Sequence, residues 1–248
     1  MHDKFSDSAG VPWEGRSFEA NSYAADTGET PAVLIPLLNQ RPVPKFELVR
    51  ALHGTRLLIP LVAELGEGEI GPNGLLVEKS ADLAIVAVAT PDGQTAIPAF
   101  TSVAELAAWN SDARPVPVAA EKVCLAAASE GHTRVVLNPA SGAIVLRRPQ
   151  LAAIAQALDW DPPHLSAKVS EMILTATKKH LMISSVDLFD GDPDASLTAP
   201  ELTIQLGFKP GLSPETLKEI LTQLAAEIQV PEFLELVDSF GLRIVVSS

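Results

Sequence analysis

The run DLAIVAVATPDGQTAIPAFTS, residues 82–102, holds most of the signals that set the fold. Residues 82–90 form a continuous apolar stretch bounded by turn signals, the pattern of a strand buried on both faces. In Pro91-Asp92-Gly93-Gln94, Gly tolerates positive φ and Asp bonds its own backbone, so residues 95–100 are expected to return antiparallel as a hairpin partner. Ser102-x-x-Glu105 then fits a capping box and opens a helix carrying Leu106 and Trp109.

Reading toward the N-terminus, residues 56–63 form a strand, and residues 44–53 a helix with Phe46, Val49 and Leu52 at helical spacing, ended by Gly54. A short apolar segment occupies 31–38. Residues 1–30, polar around Phe5, Trp13, Phe18 and Tyr23, read as an extended arm whose aromatics staple it to the body. Toward the C-terminus, Arg114-Pro115-Val116-Pro117 precedes an alanine-rich helix at 118–129. A strand at 133–137, a turn at 138–142, a strand at 143–147 and a helix at 149–158 follow. Asp159-Trp160-Asp161-Pro162-Pro163 breaks every periodicity and marks a domain boundary. Beyond it come a helix at 166–178, strands at 180–188 and 201–208, a helix at 213–228 with Ser213 as cap and Pro214 at its first position, and a closing hairpin of 233–237 with 242–246. The expected fold class is α/β (α+β) in two mixed domains. An arm (1–30) leads into an N-terminal sheet with flanking helices (31–160) and a smaller C-terminal α-β-β-α-β-β sandwich (161–248).

Composition narrows the function. A chain of 248 residues that is 47% hydrophobic has ample material for packed cores. Eighteen basic against 31 acidic residues leave a formal charge of −13, which repels a phosphate backbone and anionic lipid, so nucleic acid and membrane surfaces are not expected partners. A single cysteine, Cys124, leaves no internal disulfide and no multi-cysteine zinc site, pointing to a reducing, cytoplasmic setting. The polar start lacks the apolar core of a secretory signal, and no apolar run approaches the ~20 residues needed to span a bilayer.

Chemistry is sparse. No G-x-S-x-G occurs, and the five histidines have no recognised partner. Cys124 lies within an apolar helix rather than at a helix N-terminus, which reads as a buried structural thiol. Gly66-Glu67-Gly68-Glu69-Ile70-Gly71 matches G-x-G-x-x-G, but its glutamates repel phosphate and Pro72 stands where a helix should run, so it reads as an acidic surface loop. Asp187, Asp190, Asp192 and Asp194 partly follow a calcium-loop spacing without its order or its closing Glu, and read as a solvated loop. No metal or cofactor is expected. Arg114, Arg134, Arg147 and Arg148 either converge on an anion or make ordinary surface pairs. Phe100 is either the apolar staple before the Thr101/Ser102 cap or, with Thr101 and Trp109, part of a cleft or partner-facing patch.

At this corner the chain resembles the SseB (enhanced serine sensitivity) family of its actinobacterial type. The resemblance rests on Pro98-Ala99-Phe100-Thr101-Ser102 after Gly93, on Trp109, and on Arg114-Pro115-Val116. Gly10-Val11-Pro12-Trp13-Glu14-Gly15-Arg16 is similar to the arm of the same subgroup, and Asn138-Pro139 stands where members often carry Asp. Residues 165–248 resemble the family's C-terminal domain only in element order. The resemblance implies no catalytic activity, since the family's name records a growth phenotype rather than a reaction.

The leading expectation is a non-catalytic protein-interaction or regulatory module with a protein partner. The alternatives are a small-molecule sensor linked to amino-acid (serine) metabolism, with Phe100, Thr101, Arg114 and Arg148 around a pocket, and, last, an enzyme on an amino-acid-like substrate. Ligand- or partner-binding candidates are Phe100, Thr101, Trp109, Arg114, Arg148, Trp13 and Arg16; no catalytic residue is assigned, and the sequence leaves the oligomeric state open.

Overall fold

The computed structural model describes residues 23–63, 69–70, 76–77 and 83–246. Helices α1 (Ile35–Leu38) and α2 (Lys45–Leu52) lead into strand β1 (Arg56–Ala63), and a short ribbon pairs β2 (Glu69–Ile70) with β3 (Leu76–Val77). Strands β4 (Leu83–Ile85), β5 (Val88–Ala89) and β6 (Thr95–Ala99) precede helix α3 (Val103–Trp109). Strand β7 (Arg114–Ala119) runs directly into α4 (Ala120–Ser129), and a hairpin of β8 (Arg134–Leu137) and β9 (Ile144–Arg147) runs directly into α5 (Arg148–Gln156). The remainder comprises α6 (Ala167–Thr177), β10 (Ile183–Asp190), β11 (Leu202–Phe208), α7 (Pro214–Ile228), α8 (Pro231–Leu236) and β12 (Phe240–Val246). Besides that ribbon, the described residues form three sheets, in the orders β4-β1-β7, β5-β6-β8-β9 and β10-β11-β12, so the fold is mixed α/β. No helix among the described residues is long and apolar enough to cross a membrane.

The stretch 82–90 corrects its own reading. It is two short strands in different sheets, β4 against β1 and β5 against β6, and Val86 to Ala89 alternate between half-buried and exposed instead of being buried. Proline explains where it divides. Leu58 exchanges both backbone bonds with Phe100, at 2.8 and 2.9 Å, so Leu58 turns its amide toward β6. Strand alternation points the nitrogen of Pro60 the same way. That nitrogen carries no proton, and the register Leu61↔Ile85 sets Pro60 opposite the residue just past the end of β4. The ladder stops where the donor is missing, and the chain passes to the neighbouring sheet.

The same alternation accounts for β7, expected only as a proline-rich lead into a helix starting at 118. Pro115 and Pro117 pair with Pro60 and Leu58, which face away from β7, so both prolines turn their nitrogens to the free edge and leave the ladder intact. Other expectations hold closely. Gly93 adopts φ +80° in the turn, and β6 returns antiparallel to β5. Ser102 Oγ accepts the Glu105 amide at 3.1 Å to cap α3, and Ser213 caps α7 in the same way. Ala157, at φ +51°, ends α5 in the left-handed region.

The C-terminal end differs from the expected hairpin. Residues 231–236 are helical, because Pro231 sits within the first turn and Phe233 and Val237, four residues apart, are both fully buried. Phe233 meets Phe240 edge-on at 5.6 Å. Strand β12 lies parallel to β11, a pairing that needs a crossover, which α7 and α8 supply.

Side chains of α6, α7, α8 and the sheet β10-β11-β12 form a separate core around Ile173, Ile204, Leu206, Leu224 and Phe233. The larger core combines α2, α4, α5, β6, β8 and β9, and it includes Ala195 from the loop after β10. Phe100 is fully buried with Leu58, Leu106 and Ala113, and its ring lies 5.3 Å from that of Trp109. Phe100→Ala is therefore expected to cost about 3–5 kcal/mol in urea unfolding. Phe100→Leu, which refills most of the space, should cost distinctly less.

Candidate functional site

Arg134 opens β8, Arg147 closes β9, and the two are direct cross-strand partners. Like charges in that relation repel unless anions lie between them. Asp238, on the turn between α8 and β12, supplies one: its two carboxylate oxygens take Arg134 Nη1 at 2.7 Å and Arg147 Nη1 at 3.2 Å. Arg147 Nη2 also donates to Asp192 at 2.6 Å and to the Ala199 carbonyl at 2.8 Å, while its Nη1 reaches Ser239 Oγ at 3.0 Å. Arg134 Nη2 reaches Asp92 of the hairpin turn at 3.2 Å. Both arginines, Asp192 and Glu201 are buried.

Asp192 organises the loop between β10 and β11. Its oxygens accept Ser196 N, Ser196 Oγ and Leu197 N, at 3.0, 3.0 and 2.9 Å. These bonds hold Ala195 and Leu197 at φ +51° and +60°. So folded, the loop is a strap: Val145 N–H donates to the Ala195 carbonyl at 2.8 Å, and Leu197 packs with Ala96, Val136 and Val145. Lys45, at the start of α2, reaches Asp190 at 2.6 Å, and Val43 N–H donates to the Pro193 carbonyl. The expected solvated acidic loop is corrected on these contacts, because two of its four aspartates are paired with cations. At Gly191 a Cβ would lie 2.2 Å from the Pro200 carbonyl oxygen, so only glycine fits.

Electrostatics follow from this geometry. Burial pushes the Asp192 carboxyl up, but the Arg147 hydrogen bond and the Ser196 and Leu197 amides outweigh it and hold the group below the usual carboxylate range. Asp92 is lowered on balance too, by Thr90, Gln94 and Arg134 acting against its burial. Glu201 moves the other way. Burial, with the Asp238 carboxylate adding to it, pushes its carboxyl up to about 7. Its Oε2 accepts the Asp238 amide at 2.7 Å, and its Oε1 has no hydrogen-bond partner among the described residues. Above this cluster opens a cleft of about 460 Å³ lined by Gln94, Thr198, Pro200 and Ser239 with the two arginines.

Among the described residues, those singled out from the sequence do not line one common pocket. Thr101 lines a separate cleft of about 210 Å³ beside Asn138, whose Oδ1 accepts the Thr101 amide at 2.9 Å. Phe100 is in the core and Trp109 is half-buried against it. Arg114 is exposed on β7; Arg148 donates to the Leu234 carbonyl in α8. Trp13 and Arg16 lie outside the described residues, as does the loop 66–71 apart from Glu69 and Ile70. Of the four arginines, Arg134 and Arg147 converge, on carboxylates of the chain itself. Cys124 is buried with its thiol pushed up to about 12. His132 meets Thr95 at 3.1 Å, His180 meets Glu227 at 3.4 Å, and burial lowers the pKa of His164. Among the described residues no group of three or more His, Cys, Asp or Glu is placed to hold a metal.

Sequence reading missed Asp92, Asp238, Glu201 and Ser239. Asp192 and Asp238 lie 45 and 91 residues from Arg147, beyond any local pattern. The fold and this clamp define an α/β protein in which a β-hairpin carries paired arginines into a polar junction. Residues 33–153, which contain that hairpin, match the model of the SseB protein N-terminal domain. No curated protein and no solved structure matches it.

Breaking a buried charge pair on one side leaves the other charge uncompensated, so Arg147→Met is expected to lower stability by about 3–5 kcal/mol at pH 7. Asp192 has a folded pKa below its unfolded 3.8, so its contribution is present above 3.8 and fades as pH falls through the folded value. The deficit of the variant should therefore shrink toward pH 2, as urea midpoints at the two pH values will show.

Proposed function

We propose that this chain is a non-catalytic, regulatory protein-interaction module of the SseB family. On this reading it is built of an N-terminal SseB domain at 31–160 and a C-terminal α/β domain from 161, locked together by the arginine clamp. The supporting observation is an apolar groove of about 500 Å³ along α7, lined by Pro214, Leu217, Leu221 and Ala225 and bordered by Lys218 and Thr222. Positions 214, 217, 221 and 225 share one helix face, while Leu224 and Ile228 of the same helix are fully committed to the core. A half-covered apolar stripe next to a buried one is the arrangement that accepts an amphipathic partner helix. Phe100, Arg114 and Arg148 contribute nothing to this surface.

A small-molecule reading draws on the polar cleft over Arg134 and Arg147, whose hydroxyls and amides suit a small polar ligand. The two readings separate in one experiment. Tagged full-length protein and a Leu217→Lys/Leu221→Lys variant, matched for thermal unfolding, are used to capture cellular protein quantitatively. The interaction reading expects a stoichiometric partner retained by the unsubstituted chain and reduced at least about tenfold, ~1.4 kcal/mol, in the variant. Equal capture by both proteins, or none, removes α7 as the contact and leaves the polar cleft as the surface to probe.

A further inference from the structure

We propose that Glu201 is a proton-operated latch on the junction between the β10–β11 strap and the α8–β12 turn, holding it closed when neutral and loosening it when ionised. Glu201 stands at the foot of β11, 3% exposed, where both anchors meet. Its carbonyl accepts Gly191 N–H from the strap at 3.0 Å, its amide donates to Ser239 Oγ at 3.1 Å, and its Oε2 takes the Asp238 amide at 2.7 Å. Oε1 is buried without a hydrogen-bond partner among the described residues.

A neutral carboxyl tolerates one unmade hydrogen bond, whereas a buried carboxylate does not. The charges around it decide which form the site favours. Asp238, from the α8–β12 turn, opposes ionisation, while Arg147 of β9 and Lys45 of α2 favour it. Those cations are already engaged: Arg147 with Asp192 and Asp238, Lys45 with Asp190, and Arg134 of β8 with Asp92 and Asp238. An ionised Glu201 therefore adds a carboxylate beside Asp238 with no free cation in the cluster to meet it.

The sign follows. A carboxyl that titrates at about 7 when folded and near 4.5 when unfolded keeps its proton longer in the folded state. Its contribution to stability is fully present below about 4.5 and is lost as pH rises through about 7. The junction then loosens across neutral pH, the reverse of the Asp192 dependence at acid pH.

The test is hydrogen exchange of the strap amides of Ser196 and Leu197 in the full chain at pH 6 and pH 8, corrected for intrinsic exchange, beside Glu201→Gln. The expected result is about tenfold faster corrected exchange at pH 8 than at pH 6 in the unsubstituted protein, the equivalent of one pKa unit, and no such change in the neutral variant. Parallel behaviour of the two proteins overturns the proposal. If Glu201→Gln does not fold, carbon NMR titration of the Glu201 carboxyl decides. A midpoint near neutrality that moves the Asp238 and Ser239 amide shifts supports the latch, and a midpoint in the ordinary carboxylate range overturns it.

Discussion

Two guanidinium groups on adjacent strands cannot share one end of a hairpin without anions between them, and this constraint shapes the junction of the protein. Arg134 and Arg147 face each other across β8 and β9, and the Asp238 carboxylate bridges them. Because Asp238 belongs to the turn before β12 and Asp192 to the strap after β10, neutralising the hairpin requires two separate segments of the C-terminal part to come to it. Apolar contacts then follow the charges, with Ala195 and Leu197 buried among residues of the N-terminal sheet and helices.

Such a junction gives orientation more than raw stability. Desolvating several charges consumes much of what their attraction returns, so a buried network of this kind contributes less than its contacts suggest, yet it is costly to break on one side. It also tolerates little geometric error. Gly191 under the Pro200 carbonyl and the left-handed Ala195 and Leu197 are backbone demands imposed by the strap's path, and the bonds to Asp192 offset them. The charges sit beneath a polar cleft, while the apolar groove of α7 lies on a helix packed in the other core. The groove on α7 and the charges of the junction therefore involve different residues.

Local signals in the sequence were legible wherever one element's own periodicity or cap determines it. The strand at 56–63, the Ser102 and Ser213 caps and the turn around Gly93 all belong to this group. Readings failed where a partner elsewhere in the chain decides the outcome. The apolar run 82–90 divides because Pro60 in another strand lacks a donor, and Arg114-Pro115-Val116-Pro117 is a strand because its edge position excuses both prolines. The apolar stretch read as a strand at 233–237 concealed a helix whose buried pair, Phe233 and Val237, sits at helical spacing. The aspartates of the strap looked solvated because the arginine that buries Asp192 lies 45 residues away. Convergence of Arg134 and Arg147 was visible as one alternative, but the carboxylates they converge on were not.

Whether the arginine clamp makes the N- and C-terminal parts one cooperative unit is read from differential scanning calorimetry of the full chain. A coupled protein unfolds in a single transition with matching calorimetric and van't Hoff enthalpies, resolved into two in Arg147→Met. Two well-separated transitions in the unsubstituted protein would contradict that coupling, because each part would then unfold without reference to the other.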